Sequence, residues 1–142
     1  MMTRLAEVLD THSWDALPGL LHENFICRFV HTGEVFDRDS WVRLNAEYPG
    51  FDHLVLQDCI GSGGRAAGRS HVTGYVDDQL KHFEVATFIT LRDELIAEMT
   101  EVWTDVEAAT PPDRLRHPRP IPINPGELSN AELWDAERED RL

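Results

Sequence analysis

Glu84, Glu101 and His71 are the side chains of this 142-residue chain whose types and setting best suit moving a proton. A carboxylate raised by burial can take a proton and return it, and an imidazole titrates near neutrality, so the two together suit general acid and base work. All three fall in stretches where polar and apolar residues alternate, as they do when successive side chains of a strand point to opposite faces. On that reading one face carries Val72, Val76, Phe83, Val85, Thr87, Ile89, Leu91, Ile96, Thr100 and Val102. The other carries Arg69, His71, Thr73, Tyr75, His82, Glu84, Ala86, Phe88, Met99, Glu101, Trp103 and Asp105. If this mixed face looks into a cavity, Glu101 or Glu84 is the base and His71 or Tyr75 meets the developing oxyanion. Trp103, Met99, Phe88, Tyr75 and Arg69 would then wall the substrate, joined by His31 from an earlier strand and Trp41 from a helix. The alternative is that the apolar face covers the helices and the mixed face meets solvent or a second subunit; alternation alone leaves both open.

Other chemistry-bearing patterns are weaker. Gly61-Ser62-Gly63-Gly64-Arg65 has the composition of a phosphate cradle, but it joins two strands and has no helix N-terminus behind it, so it reads as a hairpin turn. Cys27 and Cys59 read as buried thiols of two strands, in neither a C-x-x-C pair nor a zinc spacing. Arg114, Arg116, His117 and Arg119 form a basic cluster whose expected partner is the chain's own acidic surface or a second subunit.

The elements that must position these residues can be read from period and turn chemistry. Leu5, Val8 and Leu9 recur at helical spacing in Thr3 to His12. Ser13 begins a second helical stretch with Trp14, Leu17, Leu20 and Leu21 on its buried side, broken by Pro18-Gly19. FICRFV at residues 25–30 reads as a strand, Thr32-Gly33 as a turn into a short second strand, and Asp37 or Asp39 as the cap of a helix burying Trp41, Val42 and Leu44. From Asp52 the period changes to two, in segments 52–60, 66–76, 80–91 and 95–106 separated by short turns, an antiparallel meander. Helices followed by a meander define an α+β class, a curved antiparallel sheet wrapped around N-terminal helices.

After Ala109 the pattern stops, because six of the eight prolines fall between Pro111 and Pro125. A proline-rich arm is expected over 110–142, with a short C-terminal helix started by the capping box at Ser129 and Glu132. A chain of this length is one domain's worth, here residues 1–109, large enough to bury a proper core. With 42% hydrophobic and 27% charged residues it is an ordinary globular composition. A net charge of −13 repels phosphates and anionic lipid, so neither nucleic acid nor membrane is an expected partner. The acidic N-terminal decapeptide lacks the apolar core of a leader, which makes a cytoplasmic location the expectation.

The phrase WDALPGLLHENFICRFVHTGEVFDRDSWVRLNAEYPG, followed by strands ending in FEVATFITLRDELIAEMTEVWTD, resembles the SnoaL-like branch of the nuclear transport factor 2 superfamily. The resemblance covers about residues 3–108. It implies a cone-shaped fold with a hydrophobic pocket between sheet and helices, commonly dimeric through the sheet, in a superfamily holding ketosteroid isomerase, scytalone dehydratase, limonene epoxide hydrolase and polyketide cyclases. It also implies a small hydrophobic or aromatic ligand, a homodimer and no cofactor. The function expected on this basis is a cofactor-independent isomerase, cyclase or dehydratase using Glu/His acid-base chemistry, or else a non-catalytic binding or dimerisation module of the same fold. The chain departs from relatives in having Glu94 where the last hairpin usually has Gly. It also has Phe29, and Ala86 or Thr87, near the positions of the isomerase's acid-base residues.

Overall fold

In the computed structural model, which describes residues 1–106, the chain opens with helix α1, Met2–Asp10. Its buried stripe is Met2, Leu5, Ala6, Val8 and Leu9. A 3-10 turn at Leu17–Leu20, with proline in its first positions, takes the place of the expected second helix. It leads into strand β1, Leu21–Phe29, which is followed by the short β2, Val35–Asp37. Asp37 then caps helix α2, Arg38–Glu47: its carboxylate accepts from the Ser40 amide at 2.9 Å, while Ser40 Oγ accepts from the Asp37 amide at 3.0 Å.

The meander follows as β3, Phe51–Ser62; β4, Arg65–Val76; β5, Gln79–Arg92; and β6, Leu95–Asp105. Each of its hairpins turns on two residues, at Gly63-Gly64, Asp77-Asp78 and Asp93-Glu94. The strands lie in the order β2-β1-β6-β5-β4-β3. Consecutive strands of the meander pair antiparallel, but β1 pairs parallel with β6, so the six-stranded sheet is mixed. This curved, unclosed α+β sheet has the architecture of the nuclear transport factor 2 fold. Val72, Val85, Ile89 and Met99 of one sheet face join Leu5, Val8, Leu9 and Trp41 of the helices in a single core.

Two contacts fix the helices over that face. Asp10, ending α1, accepts from the Leu54 amide at 3.0 Å and meets His53 Nδ1 at 2.9 Å, tying α1 to β3. Gly50, with φ of +82°, lies so close to β4 that a Cβ there would stand 2.1 Å from the Tyr75 carbonyl oxygen. Only glycine fits such a left-handed, close-approach position.

The two cysteines differ. Cys27 is fully buried, and burial together with the Glu101 carboxyl pushes its thiol up. Cys59, expected to be buried, is exposed, because it lies on the edge strand β3, whose residues 57–62 are all exposed. Among the described residues no helix is long and apolar enough to cross a membrane. The expected proline-rich arm, its capped helix and its basic cluster lie outside the described residues.

Candidate functional site

The site is built around an irregularity in the last hairpin. Leu91 faces Ile96 across the β5–β6 pair, but Thr90 faces Glu98, which leaves Ala97 as an extra residue in β6. Such a bulge shifts the alternation of every residue after it by one. Ile96 and Ala97 are consequently both buried, and beyond them Met99, Glu101 and Trp103 share the inner face with Ile89, Thr87 and Val85. The inner side thus takes the apolar face of β4 and β5 and the mixed face of β6.

β6 runs between β1 and β5, and Glu101 lies on it with Phe29 as neighbour on one side and Thr87 on the other. Central position and inward orientation take its carboxyl out of water; the residue is 6% exposed. Burial pushes its pKa up to about 7, while the indole N–H groups of Trp103 and Trp41 act the other way by favouring the anion. Trp103 Nε1 donates to Glu101 Oε2 at 3.3 Å, whereas Trp41 Nε1 is enclosed without completing a hydrogen bond.

Glu101 and Trp103 line a cavity of about 700 Å³ between the sheet and the helices, a volume suited to a small organic molecule. Phe29 and Phe36 meet in its wall with ring centroids 4.8 Å apart, and His31 stacks on Phe29 at 5.4 Å. Tyr48, Phe51 and Phe83 add further aromatic surface. Of the residues proposed from sequence, Glu101, Trp103 and His31 line this cavity. Met99 and Trp41, each 1% exposed, lie in the adjoining core.

His71 and Glu84 are not brought to Glu101. They pair with each other across β4 and β5 on the opposite, outer face of the sheet, because the bulge reverses β6 and not its neighbours. There His71 Nδ1 stands 3.2 Å from Glu84 Oε1 and His71 Nε2 stands 2.9 Å from His82 Nδ1. Arg69 donates to Gln57 and approaches Glu84 at 3.6 Å on the same side. Tyr75 and Phe88, expected to wall the substrate, are 51% and 48% exposed. Phe29, Phe36, Tyr48 and Phe51 were not singled out as a wall. For Phe29 the available signal was the alternation of Cys27, Phe29 and His31, which puts all three on one side of β1. Among the described residues no group of three or more His, Cys, Asp and Glu side chains is arranged to hold a metal ion.

A curved sheet folded over two helices, with a cavity between them, defines the class of fold. Residues 2–99 match the SnoaL-like domain family, and the chain belongs to it. Solved structures with the same fold include a proposed ketosteroid isomerase from Kribbella flavida, 22% identical over 86% of this chain and 88% of that one, with a TM-score of 0.69. IdmH, a proposed polyketide cyclase from Streptomyces antibioticus, is 16% identical over 72% and 88% of the two chains, with a TM-score of 0.63. An epoxide hydrolase of M. tuberculosis is 12% identical over 70% and 77%, with a TM-score of 0.61. No curated protein matches the sequence significantly.

Proposed function

We propose that this chain binds a small, largely apolar molecule in the inner cavity and transfers a proton on it through Glu101, as an isomerase, cyclase or dehydratase would. The observation that carries the reading is a carboxyl 6% exposed, on the wall of a 700 Å³ aromatic cavity, with its pKa raised to about 7. A group that titrates near the working pH is present both as base and as acid, the condition under which one residue can remove a proton and return it. Trp103 Nε1, bonded to Oε2, orients the carboxyl, and His31 on the same cavity is a further polar group able to meet charge developing on the substrate. His71 and Glu84 have no part in this step, since the sheet separates them from the cavity.

The outer face supports a second role. Phe88, Val102 and Tyr75 are exposed on strands of the meander, an apolar surface that a second copy of the chain would cover, giving a homodimer. That surface suits the alternative of a binding or dimerisation module equally well, and activity separates the two.

The test is turnover. Candidate substrates found by native mass spectrometry of ligands carried from cells would be assayed with the wild type and with Glu101→Gln. The variant is expected to lose about 10²-fold or more in kcat while its circular dichroism is unchanged. An unchanged rate removes Glu101 from the mechanism.

A further inference from the structure

Glu34, Glu101 and Asp105 all line the cavity, and among the described residues no lysine or arginine does. The rest of the wall is rich in rings, with Phe29, Phe36 and Trp103 close to Glu101 in the sheet. Aromatic faces are negative at their centres, so they add to the attraction for positive charge rather than offset the carboxylates. An anionic ligand would meet like charge at Glu101, the buried one of the three; Glu34 and Asp105 are exposed at the cavity's edge. A neutral ligand leaves Glu101 without a counter-charge, and the carboxyl then holds its proton. A cation with an apolar body satisfies both the carboxylate and the rings.

From this we propose that the ligand of the inner cavity carries an organic ammonium group, a protonated tertiary amine or a quaternary ammonium, seated against Glu101 and the rings of Phe29 and Trp103. The inference rests on the reading of this cavity as the functional site and adds the charge class of its occupant. When the ammonium enters, Glu101 releases its proton to solvent and is held as the anion, the form that removes a proton from the substrate, so affinity rises with pH as the carboxyl ionises. The groups facing Glu101 are Cys27 of β1, which Arg28 also influences, Trp41 of α2, Thr87 of β5 and Trp103 of β6. His31, Glu34, Tyr48 and Asp105 complete the titratable set around the cavity.

The experiment is calorimetric titration of the full chain with choline and with 3,3-dimethylbutan-1-ol, its uncharged isostere. The expected result at pH 7.5 is binding of choline at least ten-fold tighter than the alcohol, with the preference falling at pH 5.5 and lost in Glu101→Gln. Should that variant fail to fold, Trp103→Leu is expected to reduce the preference, and the pH comparison on the wild type stands independently. Equal binding of the two probes, or tighter binding of the alcohol, overturns the ammonium assignment and leaves the cavity as a site for neutral molecules. Failure of both probes to bind at millimolar concentration overturns it as well and counts against the cavity as the functional site.

Discussion

Glu101 links stability to function because the environment that raises its pKa also makes the folded state hold a proton the unfolded chain gives up. Its ordinary value is 4.5 and its folded value is about 7. Stability from this group is therefore fully present below about pH 4.5, declines as pH rises toward 7, and is lost above it. A shift of this size corresponds to at most about 3 kcal/mol. Urea unfolding at pH 5 and pH 8 is expected to show the wild type losing roughly 2 kcal/mol more than Glu101→Gln across that interval. An equal loss in both proteins would mean that the carboxyl is hydrated in the fold.

At the level of elements, the last hairpin does most to define the site, through its turn and its bulge. Asp93 and Glu94 have φ of +53° and +65°, the left-handed conformation that glycine adopts most readily. Glu94→Gly is expected to stabilise the protein by about 1 kcal/mol, the strain relieved less the added freedom of the unfolded chain. Thermal unfolding checks this, and a destabilised variant would place the turn in another conformation. The meander was legible in the sequence because four runs of alternating residues were cut by short turns, and α2 because a capping aspartate, Asp37 or Asp39, stands ahead of Trp41, Val42 and Leu44. Cys59 was misread as buried because an edge strand and a central one have similar composition. The faces were half legible: alternation sorted β4 and β5, but a bulge at Ala97 leaves no residue type that announces it. Glu101 could be singled out by type, while its separation from His71 and Glu84 followed only from that one extra residue.

For the molecule as a whole, the sheet has two unlike sides. The inner side encloses the cavity, and the outer side presents Phe88 and Val102 around the polar group of Arg69, His71, His82 and Glu84. Sedimentation velocity of the full chain is expected to give a dimer, and Phe88→Glu a monomer with the same circular dichroism. Because each copy carries a net charge of −13, the dimer should tighten with added salt. A monomer at all concentrations would contradict association through this face.

The proposed function depends on one ionisable group in one cavity, and the titration of that group can be followed without knowing the substrate. Carbon-13 NMR of protein labelled at the glutamate carboxyls, with Glu101→Gln to assign the signal, reads that group directly. The predicted result is one glutamate titrating near pH 7 and absent from the variant. A Glu101 signal titrating near 4.5 would place the carboxyl in water and contradict the proposed role.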